Sequence, residues 1–324
     1  MLYPLKMNPI YKEAIWGGEK LRKVFGKAIP SCHTGESWEI ACHQNGMSLV
    51  ANGELEGKSL KEVLDIYGEE ALGTEIWKRK YGKFPLLVKI IDASDKLSVQ
   101  VHPQDEYAKI HEGDLGKTEM WIVLDAKPDA KLIYGLKAGI SKKDFEIAIE
   151  EGSLEDVLNY VDVKKGDVFF IPAGTVHAIG EGILIAEIQQ NSDTTYRVYD
   201  WNRTDENGNS RELHIKKALD VISFSNLAGK EKVVGKLVKE GKNTRNYLIS
   251  CEYFSTELLE IHTESKESLN GERFNLLIFI EGEGSLEYKN GYISFKAGDS
   301  FFIPASIGDY FIVGPAKVIK TYIE

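Results

Sequence analysis

Residues 166–177 read GDVFFIPAGTVH, and this run decides the fold. The letters FFI predict a short apolar strand, and Pro172 and Gly174 predict a tight turn after it. The chain then enters a second strand that carries His177. On a small β-barrel, a histidine placed just after such a turn can point into the mouth of the barrel. The pattern therefore directs attention to upstream residues that could complete a metal site.

Candidate partners for His177 lie on an earlier β-rich segment. Residues 98–103 read SVQVHP, and on a strand Gln100 and His102 face the same side because they are two residues apart. Glu119 follows seventeen residues after His102, at the start of another β-rich run. Zinc accepts imidazole nitrogen and carboxylate oxygen. A nitrogen and oxygen ligand set also takes Mn, Fe, Co or Ni, so the spacing alone leaves the metal open.

The composition limits the classes of protein to consider. The chain has 324 residues, with 40 Lys and Arg against 50 Asp and Glu. The resulting formal charge of −10 argues against nucleic-acid binding. The three cysteines are scattered without a C-x-x-C pair, as in a reducing compartment. The N-terminal residues lack the apolar core of a signal peptide, and no apolar run is long enough to span a membrane. We therefore expect a soluble, cytoplasmic protein.

Most of the chain is predicted to be β. Six segments are rich in β-branched and aromatic residues and are bounded by turn residues; they are 84–92, 96–102, 120–126, 130–136, 168–172 and 182–190. Two helical segments interrupt this pattern. Residues 59–68 begin with a Ser59…Glu62 capping box. Residues 141–161 have the spacing of two short helices divided at Gly152.

An internal repeat indicates a second domain. Residues 164–179 align without gaps to residues 296–311. In this alignment Asp309 takes the place of His177, and no H-x-H or Q-x-H precedes it. We therefore expect the second copy to lack metal ligands and to be structural.

The Pro-Gly turn followed by histidine resembles the second conserved motif of the cupin superfamily. The predicted fold class is mainly β, with two cupin (jelly-roll β-barrel) domains. Residues 1–225 are predicted to form the metal-binding catalytic domain, with the helical segments 59–68 and 141–161. The polar, Gly- and Lys-rich residues 226–243 are predicted to connect it to a cupin-like domain of residues 244–324.

In combination, the motifs resemble type I mannose-6-phosphate isomerases of the shorter bacterial and archaeal kind. The matching segments follow the family's order; they are 34–43, 86–108, 116–126, 169–180, 188–203 and 212–220. QVHP, KTEMW and AGTVHA are specific when they occur together, and SDTTYRVYDWNR is characteristic of the bacterial branch. The helical insertion of eukaryotic members is reduced here to about residues 141–161.

The resemblance implies a reversible aldose–ketose isomerisation of mannose 6-phosphate and fructose 6-phosphate through a cis-enediol. It implies one zinc ion per chain, held by Gln100, His102, Glu119 and His177. It also places Arg197 in the active-site cleft, where a permanently charged guanidinium suits charge stabilisation and not base catalysis. The alternative for this arginine is a structural salt bridge to a nearby aspartate.

The phosphate group needs a cationic pocket beyond the metal. Ser98 shares the strand face of Gln100, Lys89 matches a family lysine, and Arg203 falls where the family keeps a cation. We predict that Ser98, Lys89 and Arg203 bind the phosphate. The opposing interpretation is that Lys89 and Arg203 are solvated surface cations.

The general base is open among several positions that the family keeps. Candidates are Lys117, Glu187 and Asp193, since a carboxylate or a lysine with a lowered pKa can move a proton. A metal-bound water is a further candidate. We predict Lys117 and Glu187 as catalytic members of the site and Asp193 as a substrate contact.

Two other functions compete with this one. Another cupin sugar isomerase or an iron oxygenase would favour H-x-H with a glutamate three or four residues later, whereas here Q-x-H precedes a distant Glu119. A non-catalytic sugar-phosphate-binding cupin would have lost a ligand or the arginine, and none is lost. The oligomeric state, monomer or dimer, is open.

Overall fold

The structure is a computed structural model that describes residues 2–79, 82–204, 208–224 and 232–324. The fold is mainly β, as predicted. The strands are β1 (Leu5–Asn8), β2 (Ile10–Gly18), β3 (Thr34–Ile40), β4 (Cys42–His43), β5 (Gly46–Met47), β6 (Leu49–Val50), β7 (Leu86–Ala93), β8 (Val99–Val101), β9 (Glu119–Ala126), β10 (Lys131–Leu136), β11 (Leu158–Asp162), β12 (Val168–Ile171), β13 (His177–Ala178), β14 (Ile183–Gln190), β15 (Tyr196–Tyr199), β16 (Lys236–Glu240), β17 (Asn243–Ser250), β18 (Ser255–Ile261), β19 (Glu264–Ser268), β20 (Asn275–Tyr288), β21 (Gly291–Lys296), β22 (Ser300–Ile303), β23 (Asp309–Val313) and β24 (Ala316–Tyr322). The helices are α1 (Lys20–Phe25), α2 (Leu60–Leu72), α3 (Thr74–Arg79), α4 (Asp105–His111), α5 (Lys142–Glu150) and α6 (Ile215–Val221).

Two sheets form the first half of the molecule. One has the strand order β12-β9-β14-β7-β3-β2, and the other has the order β11-β10-β13-β8-β15. They pack face to face, because one core cluster contains Trp121 and Ile185 from the first sheet and Leu132 and Tyr134 from the second. This is the sandwich arrangement in which inward-facing side chains of both sheets can meet.

The central strands of the six-stranded sheet are buried on both faces. Every residue of β7 is buried, and alternate residues face opposite sides. Val88 and Ile90 face a core shared with the second half of the chain, whereas Ile91 faces the five-stranded sheet. Lys89 shares the face of Ile91. A charged side chain is therefore directed into the space between the two sheets.

An eleven-stranded sheet forms the second half, and its path runs β16-β17-β18-β24-β20-β22-β1-β6. The first strand of the chain thus joins the second half: Leu5 pairs with Phe302 of β22, and Met7 pairs with Val50. The predicted division into 1–225 and 244–324 stays a prediction, and strand pairing crosses it. Of the predicted connection, residues 226–231 lie outside the described residues, and residues 236–240 form β16.

The predicted helices are present with one correction. Ser59 begins α2 with both hydrogen bonds of a capping box, and Ser141 begins α5 in the same way. The prediction of a second helix within residues 141–161 is wrong. Leu154–Val157 is a single 3-10 turn, and Leu158–Asp162 is β11, which pairs with β10. The apolar residues here have helical spacing, but β10 offers an edge with which this segment can pair, and its Val and Tyr residues favour a strand. None of the helices in the described ranges is long and apolar enough to cross a membrane.

A buried ion pair joins the two halves. Lys27 Nζ lies 2.8 Å from Glu39 Oε1 and donates to the carbonyl oxygen of Gly298 at 2.8 Å. Ser37 and Ser300 donate to the same carboxylate at 2.6 and 3.1 Å. Glu39 has no exposed surface and Lys27 is 8% exposed. Breaking such a pair leaves an uncompensated charge in the interior.

We expect Lys27→Met to lower the free energy of unfolding by about 3–5 kcal/mol, because the carboxylate of Glu39 loses its counter-ion. The midpoint of urea denaturation measures the change. Lys23→Met is the matched control, since Lys23 pairs with Glu19 at the surface and exposed pairs contribute less than ~1 kcal/mol. Equal midpoints for the two variants would contradict the prediction.

Candidate metal centre and catalytic cavity

The predicted ligands meet between the two sheets of the first half. Glu119 is the first residue of β9 in the six-stranded sheet, whereas Gln100 and His177 lie directly opposite each other on β8 and β13 of the five-stranded sheet. His102 follows β8 on the same face. The turn after β12 holds this geometry, because Gly174 donates its backbone N–H to the carbonyl oxygen of His102 at 2.8 Å.

Both imidazoles present the same nitrogen to Glu119. His102 Nδ1 donates to the carbonyl oxygen of Thr194 at 2.9 Å, and His177 Nδ1 donates to that of Thr175 at 2.8 Å. Since a carbonyl only accepts, Nδ1 of each neutral ring carries the proton and Nε2 carries the lone pair. Each Nε2 lies 3.5 Å from an oxygen of Glu119. Backbone hydrogen bonds that fix the tautomer are typical of histidines that bind metals.

The chemistry of this cluster fits a bound cation. Glu119 is completely buried, and within the described residues the charged group in contact with its carboxylate is the Lys117 ammonium, 3.1 Å from Oε2. Burial, reinforced by Glu187, raises the pKa of Glu119 to about 7. Burial lowers the pKa of His177 to about 4 and that of His102 well below its ordinary value. One carboxylate and two neutral imidazoles within 4.8 Å form a group that can hold a metal ion.

Gln100 and Lys117 lie at the edge of this cluster. Nε2 of Gln100 is 3.3 Å from Nε2 of His177, so the amide nitrogen and not the oxygen faces the ring. Nζ of Lys117 lies 3.1 Å from Glu119 Oε2 and 3.1 Å from His102 Nε2. The structure thus brings both predicted residues to the candidate metal centre.

The cluster lies beside a cavity of about 330 Å³. Its lining includes the predicted residues Lys89, Ser98, Gln100, Lys117, Glu187, Asp193 and Arg197, and also Trp16, Glu36, Trp38, Trp121 and Arg211. The sequence motifs single out neither Glu36 nor Arg211 as a site residue. Glu36 lies in segment 34–43, one of the segments that resemble the isomerase family. This resemblance is the signal by which the sequence could have identified it. Arg211 precedes the segment 212–220 and carried no such signal.

A chain of buried charges forms one wall of the cavity. Lys89 Nζ lies 3.3 Å from Glu36 Oε2 and 3.4 Å from Glu187 Oε2. Burial opposes the charge of Lys89, but the two carboxylates outweigh it and raise its pKa. Burial likewise opposes the charge of Glu187, but Lys117 and Lys89 lower its pKa. Trp121 donates its indole N–H to Glu187 Oε1 at 2.9 Å. Glu187 is therefore an oriented, ionised carboxylate.

The three arginines near the cavity have different surroundings. Arg197 lies opposite Gln100 on β15 and donates to Ser98 Oγ at 3.3 Å. Arg211 also lines the cavity. Arg203 is not among the lining residues, and its guanidinium instead donates to Asp95, Asp200 and the carbonyl oxygen of Lys96. The structure therefore does not bring Arg203 to the predicted phosphate site.

Asp193 lies between this cavity and a larger one of about 1050 Å³. Asn45 donates its side-chain N–H to Asp193 Oδ2 at 2.5 Å, and His43 Nε2 lies 3.8 Å from Oδ1. His43, Asp114 and Asp193 are a second group with ligand atoms close together. Lys83 and Ser192, however, already contact the carboxylate of Asp114. The first cluster is the better cation site because all three of its members are buried and its carboxylate faces two neutral imidazole nitrogens, although Lys117 also contacts that carboxylate.

The second half has a corresponding pair of strands in which the acidic and basic residues are exchanged. Glu187 is the fifth residue of β14 and pairs with Lys89 of β7. Lys320 is the fifth residue of β24 and pairs with Glu257 of β18. Lys320 and Glu257 belong to a network of buried ion pairs, with distances of 2.5 to 2.8 Å, that they form together with Arg245 and Glu267. Arg245 also pairs with the more exposed Glu240 at 2.7 Å.

Two β-halves, with a His–Glu–His candidate metal centre between the sheets of the first, define a cupin-type protein. Residues 4–131 match the family model "Phosphomannose isomerase type I, catalytic domain", and residues 243–323 match "Mannose-6-phosphate isomerase, cupin domain". The chain belongs to the type I mannose-6-phosphate isomerase family.

Individual relatives agree over the whole length. The chain is 43% identical to mannose-6-phosphate isomerase ManA of Bacillus subtilis over 99% of both chains. It is 40% identical to mannose-6-phosphate isomerase of Streptococcus mutans, again over 99% of both. The crystal structure of mannose 6-phosphate isomerase from Bacillus subtilis superposes with a TM-score of 0.91 at 39% identity, covering 99% of this chain and 100% of that one.

Proposed function

We propose that this protein interconverts D-mannose 6-phosphate and D-fructose 6-phosphate and requires one zinc ion per chain. The observation that carries the proposal is the completely buried Glu119 carboxylate, which faces two neutral imidazole nitrogens, each 3.5 Å from one of its oxygens. Family membership at 43% identity supports the choice of substrate. The nitrogen and oxygen donors support zinc.

The proposed ligands are Gln100, His102, Glu119 and His177. When bound, the metal supplies Lewis-acid polarisation of the sugar oxygens. With one carboxylate among the ligands, a divalent ion retains about one unit of positive charge. Gln100 would need to turn its amide oxygen toward the cluster to act as the fourth ligand.

The reaction moves a proton between C2 and C1 of the open-chain sugar. We assign this transfer to Glu187, because the indole of Trp121 orients its carboxylate and Lys89 and Lys117 keep it ionised. A base must lie within hydrogen-bond reach of the proton it removes, and Glu187 lines the cavity. Lys117 is the other candidate, since its Nζ lies beside Glu119 and His102 at the candidate metal centre; it would have to act as the neutral amine, because an ammonium accepts no proton.

The remaining cavity residues bind and orient the sugar. Arg197 stabilises the negative charge that develops on the C1 and C2 oxygens, because its guanidinium stays protonated and Ser98 fixes its orientation. The indole rings of Trp16, Trp38 and Trp121 are almost completely buried and form apolar walls. They exclude water, which strengthens the electrostatic contacts inside the cavity. Asp193 accepts a hydrogen bond from a sugar hydroxyl.

We expect chelation to lower turnover of mannose 6-phosphate at least about a hundredfold, since the site loses its Lewis acid. Added zinc should restore it. The measurement is a coupled assay of fructose 6-phosphate on chelated and on zinc-restored protein. Activity that survives complete metal removal would contradict the metal requirement. No activity with any divalent metal would contradict the substrate, and a screen of other aldose phosphates would follow.

A further inference from the structure

We propose that Asp105 is a positioning residue of the candidate metal centre, which together with Gln190 holds the chain segments of His102 and Glu119 against each other. The proposal rests on the proposed function, because it concerns how the protein builds the metal site of that function. Among the described residues, those that line the catalytic cavity do not include Asp105. It therefore acts through the backbone that carries the ligands.

Asp105 joins the two ligand segments directly. It follows His102 by three residues, and Gly116 precedes Glu119 by three. Gly116 donates its backbone N–H to Asp105 Oδ1 at 2.7 Å, so one hydrogen bond ties the chain after the first ligand to the chain before the second. The approach is close, because a Cβ added at Gly116 would lie 2.5 Å from the backbone nitrogen of Asp105. Only glycine fits this junction without a shift of the backbone.

Gln190 continues the connection from the last residue of β14. Its Nε2 donates to Asp105 Oδ1 at 2.9 Å, and its Oε1 accepts from the backbone N–H of Thr118 at 2.8 Å. Gln190 and Thr118 are both buried. Lys117 donates its own backbone N–H to the carbonyl oxygen of Pro103 at 3.0 Å. The three N–H groups that precede β9 are thus all bound, although this part of the chain has no regular secondary structure.

This junction determines where the functional groups lie. Nζ of Lys117 is 3.1 Å from both Glu119 Oε2 and His102 Nε2, so a shift of the junction would move the ammonium and the carboxylate together. The junction also reaches the turn after β12, because Thr118 Oγ1 accepts from the backbone N–H of Ala173 at 3.2 Å. Groups behind the ligands of a metal site orient those ligands, and their loss weakens metal binding by about 10–100-fold.

The carboxylate of Asp105 is surrounded by neutral groups. Two of them are the N–H donors of Gly116 and Gln190. A third is the hydroxyl of Tyr253 from the second half of the molecule. Burial, and after it the negative charge of Asp105, raise the pKa of Tyr253, so this hydroxyl keeps its proton. A carboxylate with such neighbours fixes backbone geometry through hydrogen bonds.

The test compares Asp105→Ala with Asp105→Asn in the full-length protein. We expect Asp105→Ala to raise the Kd for zinc roughly 10–100-fold. At saturating zinc, kcat should fall about tenfold or more while KM changes less than about threefold, because misplaced groups act mainly on the transition state. Asp105→Asn should stay within about threefold of the wild type, since its amide oxygen still accepts both hydrogen bonds. Competition with a chromogenic chelator measures Kd, and the coupled assay measures kcat and KM.

A second substitution tests the same junction from its other side. Gly116→Ala should raise the Kd for zinc in the same direction although Asp105 is intact, because its Cβ pushes the two segments apart. It also tests the proposal if Asp105→Ala does not fold. Asp144→Ala is the matched control, since Asp144 caps the first turn of α5. Its thermal midpoint should fall, whereas its zinc Kd and kcat should match the wild type.

Three results would overturn the proposal. They are an unchanged zinc Kd in Asp105→Ala, a loss in Asp105→Asn as large as that in Asp105→Ala, and an equal rise in Kd in Asp144→Ala. The second result would trace the effect to negative charge, and the third would trace it to general destabilisation. Wild-type protein that binds zinc but converts no mannose 6-phosphate would refute the proposed function alone. The zinc Kd of the variants would still test Asp105.

Discussion

Glu119→Gln is expected to remove zinc from the protein and to lower turnover at least about a thousandfold, because the centre loses its only anionic ligand and several kcal/mol of charge stabilisation with it. The amide has almost the volume of the carboxylate, so the fold should persist. Zinc should raise the thermal midpoint of the wild type, since a ligand that binds only the folded state stabilises it. The variant should show no such shift. Zinc content, turnover and thermal midpoint measure the three effects.

The control for this substitution is Glu181→Gln. The Glu181 side chain is 55% exposed and pairs with Lys127 at the surface, so zinc content and turnover should match the wild type. The metal-free forms of wild type and Glu119→Gln should melt within a few degrees of each other. A full equivalent of zinc in Glu119→Gln, together with normal turnover, would exclude Glu119 as a ligand.

Glu187→Gln is expected to lower kcat by about 10²–10⁴-fold while zinc stays bound, because the amide can still accept the hydrogen bond from Trp121 but cannot take a proton. The change in KM should be smaller, since a base acts mainly in the transition state. In deuterated water, the wild type should incorporate solvent deuterium at C1 of fructose 6-phosphate. The variant should lose this exchange together with turnover, as followed by proton NMR.

A comparison with Lys117→Gln decides between the two base candidates. Exchange that survives at the wild-type rate in Glu187→Gln but disappears in zinc-loaded Lys117→Gln would move the role of base to Lys117. Glu187 would then serve to neutralise Lys89, which it approaches to 3.4 Å. Loss of zinc from Glu187→Gln would also count against the prediction, because Glu187 would then act by supporting the metal centre.

Much of the first half could be predicted from local sequence. The strand–turn–strand pattern of residues 166–177 and the two-residue spacing of Gln100 and His102 act over short distances, and the structure has both as predicted. The error at residues 153–161 has a physical cause. Helical spacing of apolar residues competes there with an open strand edge of β10, and hydrogen bonding to that edge is a long-range interaction that the local pattern does not contain.

The sequence by itself determined the mainly β fold, the duplicated turn and the identity of the residues that could bind a metal, because these depend on residue types and short-range geometry. The tertiary structure alone decided which cations face the cavity. Lys89 is neutralised by Glu36 and Glu187, which reach it from neighbouring strands. Asp95 and Asp200 both pair with Arg203, which does not line the cavity, whereas Arg211 pairs with Asp200 and does line it. The charge that a residue offers to a ligand depends on its partners, and here β pairing and the loop after β15 bring those partners together.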